Sequence, residues 1–200
     1  MKSIFSELRF NRVIRILTFS DGFLWGGYYM IQAVVAVYLN QILGDNSLQL
    51  IALGFSTYMI SRSLFQVPIA LSLDRNKGFF DESFAVFFGS FLGSIALFGF
   101  TFVNSGATLV LVQALFGLGM ACNIPAWRKI FARFVDKDHE AIEYGIYDML
   151  NNIIIALLTA LGGYVMTKYA SFDLLFTLGA ITTLIGGFIA LLLLRETNSR

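Results

Sequence analysis

The chain has 200 residues, of which 57% are hydrophobic and 14% charged, and its formal net charge is +1. A water-soluble domain averages roughly 45–50% apolar and about 25% charged residues, so this composition excludes one. Near-neutral charge, with no basic cluster away from the ends of the apolar blocks, also leaves no electrostatic footprint for nucleic acid.

The apolar residues come in blocks. Runs free of Asp, Glu, Lys and Arg cover 22–44, 46–61, 83–127, 149–167 and 174–194, and the third divides at the polar "NSG" of 104–106. About 20 such residues cross the hydrocarbon core as a helix. The pattern therefore predicts six spans, at about 13–41, 48–73, 83–103, 107–134, 140–168 and 172–194. They form one all-α transmembrane domain over 1–200. The first span is too long for a signal-peptide core and five more follow it.

Segment 1 places Asp21, Trp25, Tyr28 and Gln32 at offsets of 4, 7 and 11. At 100° per residue these four share one narrow stripe. A carboxylate, an indole, a phenol and an amide in line face a wet cavity or other helices rather than lipid. An acid near a helix centre costs about 2.5–3.5 kcal/mol on insertion scales, which makes it a functional candidate. The alternative is that Asp21 lies near enough to the helix end to be hydrated. Gly22 and Gly26, on the neighbouring face, suit close helix packing.

Segment 2 carries Arg62 in mid-span, with Tyr58 and Gln66 one turn away on either side. A guanidinium there needs an acid or carbonyl partner. The sequence offers Asp148 of segment 5, on a stripe with Tyr144 and Asn151. Counting about 1.5 Å per residue from the basic ends, Arg62 lies roughly 18 Å deep and Asp148 roughly 12 Å. Such a pair either switches an interface or stands as a static ion pair.

Segment 3 offers Gly89 and Gly93 and no mid-span charge. Segment 4 has Gly117 and Gly119, then Asn123, Pro125 and Trp127, with Arg128 at a depth similar to that of Asp21. Arg128 either meets Asp21 across a cavity or snorkels to the headgroups. In segment 5 the start "DKDHEAIEYG" makes Asp138 a candidate helix cap. Segment 6, with Gly179, Gly186 and Gly187, reads as a supporting helix packed through small residues.

Of the fourteen Lys and Arg, twelve fall on one side of this arrangement, Lys2, Arg9, Arg75, Lys77, Arg128, Arg133 and Arg200 among them. Positive charge stays in the cytoplasm, so both termini and the 74–82 and 128–139 loops are expected there, in the cell membrane. The lone Cys122 makes no internal disulfide. No metal or other cofactor is expected. With a single histidine, His139, and "GFST" at 54–57 in place of G-x-S-x-G, the sequence argues against an intramembrane protease.

The stretch "ALSLDRNKG" resembles the signature of major facilitator superfamily transporters between their second and third spans, G-x-x-x-D-R-x-G-[RK]-[RK]. Asp74 and Arg75 match its acidic and basic positions. Ala70 replaces the first Gly, and Lys77 and Gly78 exchange the later Gly and basic residue. "QALFGLG" is similar to the superfamily's R-x-x-x-G-x-G fourth-helix pattern, with Gln113 for Arg.

The resemblance implies one six-helix half of such a transporter, built of two three-helix repeats. Helices 1 and 4 would line the cavity, and helices 2 and 5 would meet the other half. The implied protein is a half-size secondary transporter in the lipid bilayer, working as a homodimer. It would move a small polar organic solute, sugar-like or drug-like, by alternating access. Asp21 would couple protons. Trp25, Tyr28, Gln32, Asn123, Trp127 and Arg128 would form the site. Asp74 and Arg75 would form a cytoplasmic gate engaging the partner's fifth helix, and Arg62 would face the partner's Asp148. One half of a hetero-oligomeric transporter and a non-transporting receptor are the competing expectations.

Overall fold

A computed structural model describes residues 11–44, 47–75 and 78–199. Lys2, Arg9, Lys77 and Arg200, used in the orientation and motif readings, lie outside them. Among the described residues six long helices follow in order: α1 (Arg12–Leu43), α2 (Ser47–Arg75), α3 (Phe79–Gly99), α4 (Gly106–Phe134), α5 (Glu140–Tyr169) and α6 (Phe172–Ala190). Short 3-10 turns extend α3 through Phe102 and α6 through Ser199.

Five of the six are long and apolar enough to cross a membrane. The exception is α2. It is equally long, at 29 residues, but Ser, Gln and Arg62 dilute its hydropathy.

The helix ends follow local chemistry. Asn11 caps α1 by accepting the Val13 N–H at 2.9 Å. Ser105 and Thr108 form a reciprocal capping box at the start of α4. Helix α3 begins at Phe79, four residues before the charge-free run. Its first turn carries Asp81 and Glu82, which suit the positive end of the helix dipole. Asp138 is not the cap of α5. It takes a left-handed conformation (φ 71°), and His139 occupies the cap position without a side-chain bond.

The packing has an internal symmetry. α1 packs against α5 and α6, α4 packs against α2 and α3, and α3 packs against α6. That pattern survives exchange of α1–α3 with α4–α6, as two three-helix repeats require. The closest crossings are glycine on glycine. A Cβ at Gly89 would lie 2.5 Å from the Gly119 carbonyl oxygen, and one at Gly179 would lie 2.9 Å from that of Gly27. Only hydrogen at Cα lets the α3–α4 and α1–α6 backbones approach this far.

Two apolar clusters fill the interior. One gathers Met30, Ile31, Leu97, Phe100, Phe116 and Phe176. The other, toward the basic end, gathers Ile14, Leu17, Val86, Ile130 and Phe131. In contrast, α2 and α5 keep broad apolar faces outward, with Ile60, Leu64 and Val67 exposed on one and Met149, Ile153 and Leu157 on the other.

A polar cavity bordered by four helices

A cavity of about 200 Å³ is lined by Asp21 and Trp25 of α1, Arg62 of α2, Asn123, Ile124, Trp127 and Arg128 of α4, and Tyr147 of α5. Helices α3 and α6 contribute nothing to it and stand behind α4 and α1. Helices α1 and α4 supply most of its wall, and α2 and α5 supply its sides.

Asp21 is buried among its neighbours, at 6% exposed. The Tyr147 hydroxyl donates to its Oδ2 at 2.5 Å, and the Trp25 indole shares the cavity wall with it. Asn151 Nδ2 donates in turn to the Tyr147 oxygen at 3.3 Å. The Asn151 Oδ1 is buried with no hydrogen-bond partner. A directed chain thus runs Asn151 to Tyr147 to Asp21, tying α5 to α1. Close approach makes it possible: Ile154 and Leu158 of α5 lie over Gly22 and Gly26.

Arg62 is met by its own helix, through the two residues one turn away on either side. Its Nη1 donates to the Tyr58 hydroxyl at 3.2 Å and its Nε donates to Gln66 Oε1 at 3.3 Å. Both partners are neutral. Among the described residues no carboxylate lies within 4 Å of Arg62 or of Arg128. Within the chain, Asp148 is therefore not the partner of Arg62. Its side chain is exposed. Asp21 and Arg128 share the cavity wall without forming an ion pair.

The remaining expected residues divide. Asn123 and Trp127 reach the cavity, but both also brace the bundle. The Asn123 amide donates to the Val86 carbonyl at 3.1 Å and the Ser90 hydroxyl at 3.2 Å, holding α3. Trp127 stacks on Phe131 at 4.8 Å. Tyr28 does not line this cavity, because its ring is buried on Phe116 at 4.9 Å. Gln32, a turn further along α1, is also outside the lining. Tyr144 is exposed and leans on Phe131 at 4.6 Å.

At the basic end, a second group was not foreseen. Glu82, fully buried, accepts two bonds from Arg133, at 2.8 and 2.6 Å. Lys129 lies 3.1 Å from both Glu82 and Asp74 and donates to the Leu73 carbonyl at 2.5 Å. The end of α2, the start of α3 and the end of α4 are thereby clamped together. Asp74 remains 70% exposed beyond this contact, and Arg75 is exposed.

Sequence signals for the missed residues did exist. Tyr144, Tyr147 and Asn151 stand at offsets of 3 and 7, as good a helical stripe as one through Asp148. Lys129 and Arg133, four apart near the end of α4, call for an acid opposite.

An apolar helix bundle around a cavity holding buried charge is the layout of a membrane transport protein. The family model of the Major Facilitator Superfamily matches residues 17–200. The chain belongs to that superfamily and is a membrane transporter of it. No curated protein matches the chain.

Proposed function

We propose that the chain is a half-size secondary transporter that works as a homodimer, moving a small polar organic solute by proton-coupled alternating access. The observation that carries this reading is the one-sided placement of the cavity. It is bordered by α1, α2, α4 and α5 only, while α2 and α5 keep apolar faces uncovered. Small-molecule sites enclose roughly 300–1,000 Å³. One copy offers about 200 Å³, and two facing copies would offer roughly 400 Å³, enough for a sugar-sized solute.

In this reading a two-fold axis along the membrane normal sets α2 and α5 of one protomer against the other's, as in the parallel halves of the superfamily. Rocking about that contact exposes Asp21 to each side in turn. Its proton is taken up and released through the cavity, and Tyr147 orients the carboxylate. Asp74 and Arg75 latch the cytoplasmic end, and both termini lie in the cytoplasm. Another six-helix unit in place of the second copy is the competing arrangement.

Single cysteines on α2 and α5, in a Cys122→Ala background, test the assembly. Purified alone and reconstituted, the chain should cross-link to itself at about twice its 22.3 kDa mass and accumulate solute when a proton gradient is imposed. A cross-link only to a different chain overturns the homodimer. Asp21→Asn should abolish gradient-driven accumulation and spare exchange; retained uphill transport removes the coupling role.

A further inference from the structure

The cavity holds more positive than negative charge. Arg62 and Arg128 both line it, against the single carboxylate of Asp21, and that carboxylate already accepts the Tyr147 bond. Arg62 is satisfied only by neutral oxygens. Among the described residues its Nη2 makes no hydrogen bond. A guanidinium at membrane depth is costly without a counter-charge, and its planar fork matches a carboxylate or phosphate better than any neutral group. Around these cations stand three aromatic rings, Trp25, Trp127 and Tyr147, with Ile124.

We infer that the cavity binds an organic anion, its anionic group held by Arg62 and Arg128 and its unsaturated or apolar body lying against Trp25 and Trp127. This deepens the transporter reading by naming the solute's chemical class. As a statement about binding it does not need transport to occur. Asp148 of a second copy is the rival source of the missing negative charge.

The chain carries two tryptophans, and both line the cavity, so intrinsic emission reports the site directly. The purified chain in phosphatidylcholine nanodiscs, free of anionic lipid, would be titrated with benzoate and with benzamide, its neutral isostere. Benzoate should produce a saturable emission change with an affinity at least tenfold higher than benzamide. Arg62→Gln should erase that preference and Arg62→Lys should keep part of it. Asp148→Asn should leave it unchanged.

Equal affinities, a benzamide preference or no saturable benzoate response overturns the inference on the unsubstituted chain alone, whether or not a variant folds. A benzoate preference that survives Arg62→Gln and Arg128→Gln also overturns it. So does one that appears only in Asp148→Asn, because the partner copy then supplies the charge. Benzoate preference without accumulation in vesicles sinks the transport reading and leaves the anion site standing.

Discussion

Replacing Glu82 by Gln removes the one acid that Lys129 and Arg133 share. Taking one partner from a buried ion pair costs about 3–5 kcal/mol, chiefly because the other charge is stranded. Here Arg133 is the stranded cation and Lys129 keeps Asp74, and the two side chains are 37% and 24% exposed. They can turn to water, so the cost falls to about 2 kcal/mol. The opposite change, Arg133→Gln, strands the acid. Glu82 has no exposure at all and keeps only Lys129, so that loss should be the larger, about 3 kcal/mol. At about 2–4 °C per kcal/mol for a chain of this size, melting in detergent should fall by about 4–8 °C for Glu82→Gln and further for Arg133→Gln. The double variant should be less damaged than the sum of the singles, since both remove one contact. A drop below 2 °C for Glu82→Gln, or Arg133→Gln proving the milder change, would refute the view that burial of this acid sets the cost.

Two further outcomes follow from the same geometry. Tyr147→Phe deletes a charge-assisted bond worth about 1.5–3 kcal/mol and should cut proton-driven uptake about tenfold. Added to Asp21→Asn it should do no further harm, and additive losses would show that the phenol acts elsewhere. Asp74→Lys reverses the exposed end of the clamp and sets a cation beside Lys129. Membrane insertion, followed by surface labelling, should be intact while uptake falls several-fold, and unchanged uptake would remove the latch.

Much of this protein is legible in its sequence. Blocks of about 20 apolar residues can only be satisfied as helices in a bilayer, because each backbone group must bond within its own segment. That constraint is local, so length and composition located all six helices to within a few residues. The larger differences are the end of α6 and the start of α3, and the second arose because Glu82 is a charge neutralised by residues some fifty positions away. Periodicity likewise placed Asp21 and Trp25 on one wall, and Asn123 and Trp127 on another, since a stripe on a helix is a property of spacing.

What spacing could not supply was who meets whom. Sequence offered two stripes on α5, and only the seating of Ile154 and Leu158 over Gly22 and Gly26 turned Tyr147, not Asp148, toward Asp21. The same limit applies to Arg62, whose expected acid, Asp148 of a second copy, is a pairing between chains that helix spacing cannot fix. Within the chain it is held by Tyr58 and Gln66, the two neighbours that spacing gave it, and it faces the cavity. Helix formation is decided within a few residues, whereas ion pairing depends on the rotation and depth of each helix against its neighbours. Those are fixed by the glycine crossings and the apolar cores, which exist only once the bundle has assembled.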